Sequence, residues 1–114
     1  MIKEAEYGAE PYRIHIWAVT CGDDLSLTIT GGTKAHIGAV ALAIYEPARD
    51  SATVSNLTVY SHRDDVLAAK CAKRAAIRRK GTATAAVGIH IDAASPEDLV
   101  ILQENCMACL EEVL

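Results

Sequence analysis

The sequence predicts an α+β fold, a two-layer sandwich in which two helices cover one face of a mainly antiparallel five-stranded sheet. Two observations support this prediction. Apolar and polar residues alternate in segments before residue 61, as they do in half-buried strands. Two later segments, on either side of a fifth strand, have apolar residues at helical spacing. The element order is therefore ββββαβα, in a single domain of residues 1–114.

The first ten residues are mostly polar, and we expect them to form a frayed lead-in. Strands are predicted at 12–19 and 25–30, because apolar side chains occupy every second position there. The third segment, 37–45, is apolar on both faces and rich in alanine, which leaves a helix open, but its glycines and the proline that follows favour a strand. The fourth strand, 53–60, is rich in β-branched residues.

A first helix is predicted after a capping box formed by Ser61 and Asp64. We expect the helix to run to about Lys80 and to end at Gly81. Its second half is crowded with lysine and arginine. The helix dipole favours cations at this end and explains most of them, whereas phosphate binding is the less favoured interpretation.

The fifth strand is predicted at 82–92, and the last helix follows it. Ser95 is the expected N-cap, with Pro96 at the first helical position. A CxxC match at Cys106 and Cys109 lies deep in this helix, on its apolar stripe. Redox pairs of this kind sit at helix N-termini, so we interpret these cysteines as core residues and expect free thiols.

The composition limits the partners of this chain. It is 51% hydrophobic, has no Phe and is only 4% aromatic, so small and aliphatic side chains must build the core. We expect a homodimer to cover the face of the sheet that the helices leave uncovered.

The charge and the apolar runs limit the partners further. The net charge of −4 argues against nucleic acid, and there is no run of 18 apolar residues to span a membrane. Without a signal-peptide pattern at the N-terminus, the expected location is cytoplasmic.

A glycine-rich stretch, residues 31–38, joins the second and third predicted strands. The simplest interpretation is an ordinary hairpin turn with a solvated lysine. The alternative is a ligand site, because glycines let a ligand approach the backbone and Thr33 and Lys34 can hold an anionic oxygen. His36 adds an imidazole to the same stretch.

A second cluster ends the fifth strand, where His90 and Asp92 lie on one face after Gly88. Such a pair can ligate a metal, act as a general base with its orienting group, form a polar clamp, or simply meet solvent. Two such clusters in a short chain predict one site. A floor without protrusions, suited to a flat aromatic ligand, is expected from small residues on the third and fifth strands: Gly38, Ala39, Ala41, Ala86 and Gly88.

Taken together, the two clusters resemble the prenylated-flavin chaperone family, the small D-type subunit associated with UbiD-type hydroxyarylic acid decarboxylases such as gallate decarboxylase. The longer motif is residues 31–41, GGTKAHIGAVA, and the shorter is residues 88–92, GIHID. The similarity covers nearly the whole chain, including the basic helix and the C-terminal helix.

The resemblance implies a non-catalytic protein that binds prenylated FMN or FMN and delivers or protects the cofactor for the decarboxylase. A separate flavin prenyltransferase makes the cofactor and is a further expected partner. From the chemistry of their side chains and backbone, we assign cofactor binding to nine residues and catalysis to none: Gly31, Gly32, Thr33, Lys34, His36, Gly38, Gly88, His90 and Asp92. One alternative is a small metal-dependent enzyme that uses His36, His90 and Asp92. Another is a purely structural subunit of the decarboxylase.

Overall fold

The computed structural model describes residues 1–59 and 64–114. Two helices pack on a mostly antiparallel sheet, as predicted, but these residues contribute six strands instead of five. The strands are β1 (Ile2–Tyr7), β2 (Ile14–Cys21), β3 (Asp24–Gly32), β4 (Ala39–Glu46), β5 (Ser51–Thr58) and β6 (Thr82–His90). The helices are α1 (Asp65–Arg79) and α2 (Pro96–Val113), and a short 3-10 helix (Pro47–Arg49) joins β4 to β5.

The strand order in the sheet is β1-β2-β3-β6-β4-β5. β6 is therefore inserted between β3 and β4, although β3 and β4 are consecutive in the sequence. β6 pairs in parallel with β3 and antiparallel with β4, and the other neighbouring strands pair antiparallel. Consequently β3 and β6 end side by side at one edge of the sheet.

The expectation of a frayed lead-in at the N-terminus is wrong, because β1 pairs with β2 along its whole length. β1 is an edge strand and is largely exposed, so its charged side chains remain in water while its backbone completes the ladder. Glu4 and Glu6 flank the ring of His15 on β2, with nitrogen-to-oxygen distances of 2.7 and 3.3 Å.

The core lies between the sheet and the helices and is built from small and aliphatic side chains, as the composition predicts. α2 packs against β1 and β2, and α1 packs mainly against β4, β5 and β6. β2 and β3 supply isoleucine and leucine to the core, whereas β4 and β6 supply mainly alanine beneath α1. The buried hydrophobic residues of the strands are Ile14, Ile16, Ala18, Leu25, Leu27, Ile29, Ala39, Ala41, Ala43, Ala83, Ala85 and Val87. Since α1 also buries mainly alanines, the helix can approach the sheet closely.

The opposite face of the sheet carries apolar side chains that remain exposed in the single chain. Val40, Leu42 and Ile44 on β4 and Leu57 on β5 lie on this face, which we call the open face. Leu57 is 79% exposed. Soluble proteins seldom leave a cluster of such side chains uncovered, so this face has the character of an interface.

The N-terminus of α2 and the C-terminus of α1 follow the sequence patterns. The capping box of α2 is present, with Ser95 and Asp98 exchanging hydrogen bonds. α1 ends at Lys80, which adopts a left-handed conformation just before Gly81. The predicted cap residue Ser61 lies outside the described residues. In the described ranges no helix is both long and apolar enough to cross a membrane.

Candidate functional site

The glycine-rich stretch is not a hairpin turn. Gly31 and Gly32 are the last residues of β3, and residues 33–38, which we call the linker, cross the end of β6 to reach β4. Thr33 donates its backbone N–H to the carbonyl oxygen of His90 at 2.7 Å, and the N–H of Gly38 donates to the carbonyl oxygen of Val87 at 2.8 Å. Backbone hydrogen bonds therefore hold both ends of the linker against the last four residues of β6.

Two glycines are required where the linker and β3 meet β6. Gly32 has a positive φ of +75°, and a Cβ atom there would overlap the backbone of His90. A Cβ atom at Gly88 would overlap the backbone carbonyl of His36. Gly88 is therefore covered by the linker and offers no bare surface to a ligand.

This arrangement brings the two predicted histidines together. The ring centroids of His36 and His90 lie 6.1 Å apart, with the rings nearly perpendicular. His90 Nε2 lies 2.7 Å from a carboxylate oxygen of Asp92, and the side chain of His90 is 42% exposed. The ring of His36 is more buried, and its Nδ1 lies 3.3 Å from the carbonyl oxygen of Lys34.

Asp64 is a buried carboxylate that joins three segments of the site. Its Oδ1 accepts the backbone N–H of Ile89 at 3.1 Å, and its Oδ2 lies 3.3 Å from Nε2 of His36. A Cβ atom at Gly38 would overlap Oδ2, so the glycine leaves room for the carboxylate. Asp64 therefore links the start of α1, the end of β6 and the linker.

A cavity of about 300 Å³ opens beside Asp64 and His90, between the N-terminal turns of α1 and α2. Apolar side chains form most of its wall, and the polar groups lie on one side. Its lining residues are Asp64, Val66, Leu67, Ile89, His90, Ile91, Ala94, Leu99, Leu102 and Gln103. Small-molecule sites have this character, with mainly apolar walls and a few converging polar groups, often at the carboxyl ends of parallel strands.

The family model described as the prenylated flavin chaperone LpdD-like domain matches residues 8–114. This chain belongs to the prenylated-flavin chaperone family. The match confirms the resemblance carried by the two glycine- and histidine-containing motifs. No curated protein sequence matches the chain.

A similar fold occurs in a chain from the crystal structure of a novel chaperone complex for yeast 20S proteasome assembly. The two chains superpose with a TM-score of 0.60 over 97% of this chain and 96% of the other. Their sequences are 16% identical, so the likeness concerns the fold alone.

In this member of the prenylated-flavin chaperone family, the other predicted site residues surround the histidine pair without all facing the cavity. Thr33 and Lys34 are exposed on the linker, and Asp92 is exposed just beyond β6. Gly31 faces the helices, where a Cβ atom would overlap the side chain of Ile14.

The expected floor of small residues is wrong. Ala39 and Ala41 lie beneath α1 in the core, on the opposite face of the sheet from Ala86. Strand parity explains the error, because residues of neighbouring strands share a face only in the correct register, which the sequence did not supply. The cavity lies instead between the helix ends and the end of β6.

Asp64 is the site residue that the sequence analysis missed. Because Asp64 comes three residues after the predicted cap Ser61, we expected its carboxylate to have a local capping role. In the structure that carboxylate instead accepts the N–H of Ile89, 25 residues away, and makes no side-chain cap to α1. The one sequence signal was the pair of adjacent aspartates, Asp64 and Asp65, at the start of a helix.

In the described part of the chain, no three histidine, cysteine, aspartate or glutamate side chains gather as a metal site. His36 has Asp64 beside it, and His90 has Asp92. The described geometry is therefore that of two polar pairs beside an apolar cavity.

Proposed function

We propose that this chain is a non-catalytic binding protein that holds prenylated FMN and delivers or protects it for a UbiD-type decarboxylase. The observation that carries the proposal is the apolar cavity beside His36 and His90, in a chain whose family is named for prenylated flavin. The cofactor would come from a separate flavin prenyltransferase.

The cavity fits part of such a cofactor. Its volume of about 300 Å³ is at the small end of ligand pockets, which suits a ring system better than a whole nucleotide. Apolar burial contributes about 25 cal/mol per Å², so contact with the walls supplies affinity for a flat ring. His90 and His36 offer imidazole groups to the ring edge.

The phosphate group requires a different environment from the ring. The carboxylates of Asp64 and Asp92 lie near His36 and His90 and would repel a phosphate there. Lys34 is exposed on the linker and supplies a cation. The neighbouring Thr33 hydroxyl donates to the carbonyl oxygen of His90 at 3.2 Å, and it would exchange this bond for one to the phosphate. We assign the phosphate to these two residues.

The four site glycines have an indirect role in this proposal. Gly32, Gly38 and Gly88 permit close contacts among the linker, β6 and Asp64, and Gly31 fits against the side chain of Ile14. They shape the site, while the side chains of the linker and of β6 contact the cofactor.

Titration of the purified chain with prenylated FMN, followed by flavin absorbance, tests the proposal. Saturable binding is expected, and His90→Ala should weaken it by up to about ten-fold, because a hydrogen bond is worth about 0.5–1.5 kcal/mol. His15→Ala is the matched control, because His15 lies on the open face between Glu4 and Glu6. Absence of saturable binding by the wild-type chain would contradict the proposal.

A second arm of this titration tests the phosphate assignment. Lys34→Ala should weaken binding of FMN several-fold more than binding of riboflavin, which lacks the phosphate. Lys3→Ala, which removes an exposed lysine of β1, is the control. Equal losses for the two ligands would show that Lys34 does not contact the phosphate.

We also propose that two copies of the chain associate through the open face. Its exposed apolar side chains support this proposal, since a second copy would bury them. Stable association with the decarboxylase in the absence of any flavin would instead favour a purely structural subunit.

A further inference from the structure

Charge is segregated along this chain. Six of its 11 lysine and arginine residues lie between residues 70 and 80, and no aspartate or glutamate occurs between Asp65 and Asp92. The chain as a whole nevertheless carries a net charge of −4. A strongly basic surface on an acidic protein attracts negatively charged partners to one place.

The basic residues line a groove between α1 and α2 that shares no lining residue with the cavity beside Asp64 and His90. The groove encloses about 610 Å³, and we call it the basic groove. Its floor is formed by the apolar side chains of Ile77 and Met107. The cations at its edge are Lys70, Lys73, Arg74 and Arg78.

Internal ion pairs neutralise only part of this charge. Glu111 accepts hydrogen bonds from Arg78 at 2.8 Å and from Arg74 at 2.6 Å. These bonds hold the pKa of Glu111 below its ordinary value. One carboxylate thus faces two guanidinium groups, which leaves a local excess of positive charge.

Lys70 and Lys73 are exposed, and the described residues give them no ion-pair partner. The helix dipole does not account for them, because its effect is confined to the last turn and α1 continues to Arg79. Stabilisation of α1 by its dipole therefore does not explain why these two lysines lie beside the apolar floor of the groove.

We infer that the basic groove binds an acidic segment of a partner protein, with an apolar side chain of that segment placed between Ile77 and Met107. A protein segment is favoured over nucleic acid because the groove combines an apolar floor with a few cations, whereas nucleic acid requires a track of phosphate contacts. In the proposed function the partner is the decarboxylase, and the inference rests on that function.

Two variants of equal net charge test the inference. Lys70→Gln/Lys73→Gln and Lys3→Glu each lower the net charge by two, but only the first changes the basic groove. Affinity for the UbiD-type decarboxylase is measured by calorimetry in about 0.1 M and about 1 M salt, where the Debye lengths are about 10 and 3 Å. Prenylated-FMN binding of each variant is measured separately.

The Lys70/Lys73 variant should bind the decarboxylase about ten-fold more weakly than the wild-type chain in low salt, and the difference should largely vanish in high salt. Lys3→Glu should bind like the wild-type chain, and both variants should retain flavin binding. Equal affinities of the two variants, or no decarboxylase binding by the wild-type chain, would overturn the inference. Groove-dependent binding of polyuridylate without decarboxylase binding would also overturn it. If the wild-type chain does not bind prenylated FMN, that result would instead refute the proposed function.

Discussion

Asp64 is the residue on which the geometry of the site depends most. Among the described residues, Asp64 is the charged residue that is buried. Its carboxylate accepts the N–H of Ile89 and lies beside the ring of His36. A buried backbone donor left without an acceptor costs about 1–3 kcal/mol. The carboxylate therefore has both a structural role at β6 and a positioning role at the linker.

Asp64→Ala should lower the free energy of unfolding by about 1–3 kcal/mol, because the N–H of Ile89 loses its acceptor. Urea denaturation followed by circular dichroism measures this difference. Asp65→Ala is the matched control, since Asp65 is the acidic residue in the first turn of α1 and its loss costs about 0.3–1 kcal/mol. Equal effects of the two substitutions would contradict the role assigned to Asp64.

Residue-level reasoning from the sequence placed His36 near His90 and paired His90 with Asp92, but it did not find Asp64 beside His36. His36 and His90 were recognisable because each follows a glycine-containing strand end. Asp64 was not, because a carboxylate three residues after a serine fits a local cap equally well. Only the chain path through β6 shows which hydrogen bond it makes.

At the scale of elements, the sequence predicts strands and helices well where periodicity is strong. The alternation in β2 and β3, and the N-cap Ser95 followed by Pro96 at the start of α2, were sufficient to place those elements. β1 was missed because an edge strand buries little, so its pattern resembles a polar tail. A hairpin turn was the simplest interpretation of the glycine-rich stretch, because the insertion of β6 between β3 and β4 depends on contacts distant in sequence.

The N-terminal turn of α2 makes stability depend on pH. A hydrogen bond from the Tyr12 hydroxyl at 2.7 Å, together with the N–H of Ser95, holds the pKa of Asp98 below its ordinary value. A carboxyl group with a lowered pKa in the folded state stabilises that state above its unfolded pKa. The contribution is lost as the pH falls through the folded value.

Asp98→Asn should therefore be less stable than the wild-type chain at neutral pH, and the difference should shrink as the pH falls below about 3.9. Unfolding free energies at neutral pH and at about pH 2.5 measure the change. Asp23→Asn, in an exposed turn, is the control and should show little difference at either pH. A difference for Asp98→Asn that is independent of pH would contradict the assignment.

At the scale of the whole molecule, the sheet divides the protein into a covered face and the open face. The helices bury the alanine-rich side, while Val40, Leu42, Ile44 and Leu57 remain exposed on the other. The predicted element order implied this imbalance, because two helices cover only one face of a sheet. No local sequence pattern identifies a partner for the open face.

The proposed dimer predicts a light-scattering mass of twice the chain mass at micromolar concentration. Leu42→Glu should give a monomer, because it places a charge in the centre of the apolar face. Val100→Glu is the control, since Val100 is similarly exposed but lies on α2. A monomeric wild-type chain, or equal effects of both substitutions, would refute association through the open face.

We propose that prenylated FMN binds where β3 and β6 end, beside His36 and His90. Amide chemical-shift changes in the isotope-labelled protein, recorded as prenylated FMN is added, locate the residues that contact it. We expect the largest changes in the linker, at residues 88–92 and in the first turns of α1 and α2. Changes confined to the open face or to the basic groove, with none at the ends of β3 and β6, would contradict it.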